Sequence, residues 1–228
     1  MRWISHLDLK RTLERALRRA DLPLALTRGH NPHPKLSFGP PLPLGATGDA
    51  ELLAVHLAEP VGPGEFSERL NAQLPAGVEV TDAWTLPGYK KKETFGDVDV
   101  AEYRVQVTGA VDAEDLQRRA RQLLDRTELT VQRGGQRPER IVDLRPHILS
   151  LSLARSGSEE VELHMRLRTG SHGGARPQEV VALLDLEEDG RVVRYHRTGL
   201  YASVEAAAPG SRGVWRRWSR TRSQRERS

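Results

Sequence analysis

Two histidines, a lysine and a serine crowd the run Arg28-Gly29-His30-Asn31-Pro32-His33-Pro34-Lys35-Leu36-Ser37-Phe38-Gly39-Pro40-Pro41-Leu42-Pro43-Leu44-Gly45. An imidazole titrates near neutrality and a lysine steadies developing negative charge. Together with His6, the set His33, Lys35 and Ser37 therefore holds the ingredients of metal-independent RNA cleavage by acid–base chemistry. The same groups also suit plain recognition of an anion, helped by Arg28 and the backbone donors of Gly29 and Gly45. A third reading is structural: the imidazoles bond loop carbonyls and pin the segment. His30 and His33 have the i, i+3 spacing of two metal ligands on a helix, but the prolines forbid a helix and no third ligand is evident nearby. With no cysteine in the chain, disulfides, thiolate zinc sites and cysteine-held iron–sulfur clusters are excluded. The chain therefore reads as having no metal and no cofactor of its own.

The segment that carries these groups is stiff. Five prolines within residues 28–45 remove backbone donors and fix φ. Leu36, Phe38, Leu42 and Leu44 should pack down. Ahead of it, residues 5–20 read as a helix, with Leu9, Leu13, Ala16, Leu17 and Ala20 on one face. Ser5 with Asp8 resembles a capping box, and Pro23 stops the helix. Arg11, Arg15, Arg18 and Arg19 make a second, basic face, whose arginines suit phosphate contact or simple solvation. His6 would sit at the helix N-terminus, a natural phosphate seat.

Residues 51–57 read as a strand, 63–74 as a helix and 78–86 as a strand. A short strand before Ser5 would complete β-α-β-β-α-β, the ferredoxin-like order. Pro87-Gly88 and Lys90-Lys91-Lys92 mark a linker. The order then recurs: a strand at 103–107, a helix at 112–126, a hairpin of 141–153 with 161–167 around Ser156-Gly157, a helix at 177–186 and a strand at 191–201. The expected class is thus α+β: two tandem ferredoxin-like halves, the first (1–88) lacking most of its first strand, a linker at 89–100, a second half at 101–205, and a disordered basic tail at 206–228.

Asp143 and Arg145 share a strand face at i, i+2, where an ion pair or a ligand contact is expected. Arg176 follows a glycine-rich turn, residues 171–175, too irregular for a Walker or dinucleotide motif. In the tail, Trp215-Arg216-Arg217-Trp218 interleaves aromatics with arginine, a pattern that stacks on bases while neutralising phosphates. The segment 210–228 has seven arginines against one glutamate and so supplies more than the whole formal net charge of +4. The rest of the chain is close to neutral. No apolar run approaches the roughly 18 residues of a membrane span, and the first residues lack a signal-peptide core, so a cytoplasmic location and no membrane partner are expected.

The runs Ser5-His6-Leu7-Asp8-Leu9, Arg15-Ala16-Leu17-Arg18-Arg19-Ala20, Leu22-Pro23-Leu24, Gly29 to Phe38, Pro41-Leu42-Pro43-Leu44-Gly45 and Val142-Asp143-Leu144-Arg145-Pro146 resemble a family of radical-SAM-linked proteins. That domain occurs alone or fused behind a cobalamin-binding radical SAM enzyme. The position of His30 is often aromatic in that family, which weakens its claim to a role. The resemblance implies an accessory protein that binds RNA or a ribonucleoprotein and presents it to a separate radical SAM enzyme, with no catalysis of its own or only a shared part in it. The expected contacts are Ser5, His6, Asp8, Arg11, Arg15, Arg18, Arg19, Asn31, His33, Lys35, Ser37, Asp143, Arg145 and Arg176, with Trp215, Arg216, Arg217 and Trp218 in the tail. Two alternatives stay open: an RNA endonuclease using His6, His33 and Lys35, and a pure protein-interaction module.

Overall fold

A computed structural model of the chain describes residues 3–86, 95–134, 139–157, 159–170, 173–187 and 191–202. It holds helices α1 (His6–Arg19), then strands β1 (Leu36–Phe38), β2 (Ala46–Gly48) and β3 (Leu53–Val55), then α2 (Pro63–Asn71). These are followed by β4 (Val98–Thr108), α3 (Ala113–Asp125), β5 (Thr130–Arg133), β6 (Arg140–Asp143), β7 (Ile148–Ser156), β8 (Glu160–Arg168), α4 (Pro177–Leu183) and β9 (Val192–Ala202). No helix among the described residues is long and apolar enough to cross a membrane.

The chain divides into two compact units, Met1–Gly45 with Leu52–Phe95, and Ala46–Glu51 with Gly96–Ser228. In the first, α1 forms for the reasons its sequence suggests. Ser5 caps it by accepting from the Asp8 N–H at 3.1 Å, and its hydroxyl donates to the Asp8 carboxylate at 2.6 Å. Aspartate is too short to reach back to the cap's own N–H as a glutamate does. The other end is stopped before Pro23: Asp21 takes a left-handed φ of 51°, and Arg69 of α2 donates to the Ala20 carbonyl at 3.0 Å and to that of Asp21. Ala16, Leu17, Ala20, Leu22 and Leu70 make the core, with Leu36, Val55, Leu57, Phe66 and Val80 against it.

Among the described residues β1 pairs only with β3, antiparallel, in a two-stranded sheet. The strand expected at 78–86 is not formed: those residues are irregular. They pair with no described strand. Instead the Asn71 amide accepts from the Val80 N–H at 2.7 Å and donates to its carbonyl at 3.0 Å, doing the work of a strand neighbour. The ferredoxin-like sheet expected of the first half, short of its first strand, is therefore not formed among the described residues.

In the second unit β2, β9, β4, β8 and β7 form one sheet in that order. β2 lies parallel to β9, and the other neighbours are antiparallel. Buried residues of β4 (Tyr103, Val105, Val107) and β8 (Val161, Leu163, Met165, Leu167) alternate with polar ones, while α3 buries Leu116, Ala120 and Leu123 and α4 buries Val180 and Val181. The continuous strand expected over 141–153 is broken. Asp143 ends β6, a 3₁₀ turn spans Arg145–His147, and β7 starts at Ile148. Pro146 has no N–H for a ladder, which accounts for the break. β6 pairs instead with β5, which the sequence pattern does not announce.

Candidate nucleic-acid interface

On α1, Arg11, Arg15 and Arg18 recur at i, i+4 and i+7 and are all exposed. Arg11 lies 3.4 Å from the Asp8 carboxylate, a loose surface contact. The guanidinium groups of Arg15 and Arg18 make no hydrogen bond or ion pair among the described residues. Arg19 is different: it donates to the Gln73 carbonyl at 2.8 Å and so ties α1 to the residues after α2. Its role is structural.

At the helix N-terminus Ser5 takes the Asp8 N–H and the Asp8 carboxylate adds a negative charge, which makes it a poor phosphate seat. His6 is exposed and lies edge-on to Phe38, with ring centroids 5.2 Å apart. Trp3 covers Gly45, whose φ of 84° and 3.2 Å clearance to the indole leave room for glycine alone.

The residues of the proline-rich segment go to three places. Thr27 and His33 close a hairpin-like loop: the Thr27 N–H donates to the His33 carbonyl at 2.8 Å, and the His33 N–H donates to the Thr27 hydroxyl at 3.0 Å. Arg28, His30, Asn31 and His33 stand exposed on its tip. Lys35 lies in a ring of backbone bonds: its N–H donates to Ala25, its carbonyl accepts from His56, and the Ala25 N–H donates to the His56 carbonyl. By the alternation of extended chain, Lys35 and Ser37 face away from Leu36 and Phe38. His33 is five residues of extended chain from Phe38, about 16 Å at the usual rise. His6, packed on Phe38, and His33 are thus not brought together as an acid–base pair.

In the second unit Asp143 and Arg145 serve the backbone rather than each other. The Asp143 carboxylate accepts from the N–H groups of Leu129 (2.8 Å) and Arg145 (2.9 Å), and these bonds hold its pKa below the usual carboxylate value. Arg145 donates to the carbonyls of Leu124 (2.9 Å), Arg126 (3.1 Å) and Ile148 (3.0 Å), closing the C-terminal end of α3. Arg176 is the exposed N-cap of α4, its N–H donating to Glu179 at 2.8 Å. Gly174, two residues before it, must be glycine, since a Cβ would lie 2.4 Å from the Arg168 carbonyl oxygen. Ser171, His172, Lys90, Lys91, Lys92 and the tail residues Trp215, Arg216, Arg217 and Trp218 lie outside the described residues.

Sequence reasoning missed a polar row across the second unit's sheet. The register sets Thr47 beside His196, His196 beside Arg104, Arg104 beside His164 and His164 beside Ser152, one residue from each of five strands. Arg194 and Gln106 lie in the next row. The Arg104 and Arg194 guanidiniums have no hydrogen-bond or ion-pair partner among the described residues, whereas Arg166 meets Glu102 at 3.1 Å. Burial, and then the bond its hydroxyl donates to Glu102, push the Tyr201 pKa up to about 12, so this phenol stays neutral. The alternation of charged residues along 102–106 and 162–166 was the available signal. No group of three His, Asp or Glu is placed to hold a metal ion among the described residues.

His147 has a consequence near neutral pH. Burial, then the nearby Arg133 and Arg168 charges, lower its pKa, with Asp143 and Glu179 opposing weakly. The unfolded chain therefore takes up this proton first. Stability from a neutral His147 is full above about pH 6.5 and falls as pH drops through the lowered folded value. Urea titrations should show that His147→Gln flattens the stability loss as pH falls below about 6.5. An unchanged slope would remove His147 as its source.

The sequence profile of DUF2344, a family described as an uncharacterized protein conserved in bacteria, matches residues 1–177. Among curated proteins none matches this chain. Among solved structures it is similar to a chain from the crystal structure of a Cbf5-Nop10-Gar1 complex, with a TM-score of 0.49 and 10% identity over 88% of this chain and 46% of that one. This chain thus spans less than half the length of that neighbour.

Proposed function

We propose that this chain, which belongs to the DUF2344 family of proteins conserved in bacteria, binds RNA or a ribonucleoprotein and presents it to a separate radical SAM enzyme. The observation that carries the RNA half is the stripe Arg11, Arg15 and Arg18. Three exposed cations in line, two of them without an internal partner, match the repeat of a phosphate backbone better than any isolated pair does. Arg28, His30, Asn31 and His33 on the loop tip add donors without any carboxylate among them. The enzyme partner follows from the resemblance of the runs within residues 5–45 and 142–146 to radical-SAM-linked proteins.

The β-α-β-β-α-β order of β4, α3, β7, β8, α4 and β9 supports reading the second unit as ferredoxin-like. A sheet face of that kind, carrying Arg104, Arg194 and His164, is a surface type on which RNA-binding domains receive single strands. We place the work in the cytoplasm. Catalysis by His6 and His33 is not favoured, because their separation leaves no shared proton path. The deciding experiment is electrophoretic titration of the full chain with tRNA and rRNA fragments at several salt concentrations. Binding that weakens with salt is expected, and no shift at low salt would overturn the RNA half.

A further inference from the structure

β7 is a terminal strand of the five-stranded sheet, and among the described residues only β8 pairs with it. Among the described residues no backbone group of residues 149–155 bonds to anything beyond β8. Leu149 on this strand is 42% exposed. A long open edge of this kind attracts other strands, and proteins normally cover or shorten it. Here register shifts between Ile148 and Ser150 and between Leu153 and Arg155 bend both ends, leaving a short regular window at 150–153.

Beside that window lies a cleft of about 150 Å³ between α3 and the sheet. Its apolar walls are Leu116, Ala120 and Leu124 of α3 with Leu151, Leu153 and Leu163. The volume is below that of a cofactor pocket and close to that of one ring or one branched side chain. Arg121 is the one charged residue lining it. Arg121 and Arg155 make no hydrogen bond or ion pair among the described residues.

We propose that the β7 edge and this cleft form a docking site for an extended acidic–apolar segment of a partner protein. The segment adds as a strand along 150–153, sends one apolar side chain into the cleft and sets a carboxylate two residues on, on the same face, against Arg121, while Arg155 lies beside Glu162 on the opposite sheet face. A second copy of this chain would bring the same unpaired arginines to the seam, and the arginine-rich segment 210–228 carries the same sign. Neither matches the charge as an acidic peptide does. This inference does not depend on RNA binding.

The test uses the full chain and a fluorescein-labelled octapeptide of glutamates around one central leucine, which places glutamates on the leucine's own face two residues away, and the same peptide with lysine for glutamate. Saturable binding of the acidic peptide is expected, with hydrogen exchange slowed at alternate amides of 149–155. Arg121→Glu should weaken it roughly tenfold and shift preference to the lysine peptide. Ala120→Trp, which fills the cleft, should abolish it. Equal binding of both peptides by the native chain, or exchange protection confined to other residues, would overturn the proposal. So would protection of 149–155 that grows with protein concentration in the absence of peptide, because the occupant would then be a second copy.

Discussion

Replacing Arg197 with alanine is expected to lower folding stability by about 3 kcal/mol, read as a shift in the urea midpoint. Arg197 on β9 is 0% exposed, the one charged residue buried among those described. Its Nε donates to Glu51 at 2.8 Å, and its Nη2 donates to the other oxygen of the same carboxylate. Burial works against the guanidinium charge, but the bonds and charge of Glu51, with Tyr103 alongside, overcome it and raise the pKa. Removing one partner of a buried pair strands the other. The Glu51 side chain is 35% exposed and can regain some water, so the loss falls at the low end of the usual range.

The pair also does topological work. Glu51 closes the segment 46–51, which supplies β2 to the second unit, and β2 holds β9 through only three paired residues. On the same segment the Thr47 hydroxyl lies 2.7 Å from His196 Nδ1, and Asp49 lies 3.0 Å from His196 Nε2. Arg197→Lys keeps the charge but loses the two-pronged fit and should fall between the native chain and the alanine variant. A loss below about 1 kcal/mol in the alanine variant would mean the pair is not what holds this segment.

The second large effect is on binding. Changing Arg11, Arg15 and Arg18 together to glutamine should weaken affinity for single-stranded RNA about a hundredfold at about 0.1 M salt. Each lost phosphate contact removes about 0.7 from the slope of log affinity against log salt, or about 2 for the three. Stability should hardly move, since exposed substitutions of this kind stay within about 0.5 kcal/mol. Arg19 is left out because it bonds the Gln73 carbonyl, and changing it would mix folding with binding. A triple variant that binds with native affinity and slope would show that RNA, if bound, lies elsewhere.

Much of the fold was legible in local chemistry. Ser5 and Asp112 announce their helices as caps, Pro63 and Pro177 stand at the first turns of theirs, and β4, β8 and β9 alternate visibly. What was not legible depends on distant partners. Ala46-Thr47-Gly48 has no strand signature, and it becomes β2 only because β9, nearly 150 residues on, receives it. Residues 78–86 alternate like a strand, but Asn71 of α2 takes the Val80 N–H and carbonyl and they join no described strand. Pro146 carried the signal that 141–153 would break, but the apolar residues around it masked that signal.

The same division holds for the site. The stripe Arg11, Arg15 and Arg18 follows from helical spacing alone. That Asp143 and Arg145 serve carbonyls and N–H groups could not be seen, because an i, i+2 pair reads identically whether it bonds a ligand or the backbone. The row from Thr47 to Ser152 needed the register of five strands.

The central claim is that this chain holds RNA through exposed cations, and the salt dependence of binding tests it most directly. Affinity of the full native chain for a single-stranded RNA fragment, measured from about 0.05 to 0.3 M salt, should fall along a line with a slope of −2 or steeper. In the Arg11, Arg15 and Arg18 glutamine variant the slope should be shallower by about 2. Absence of binding at the lowest salt, or binding that salt leaves unchanged, would contradict it.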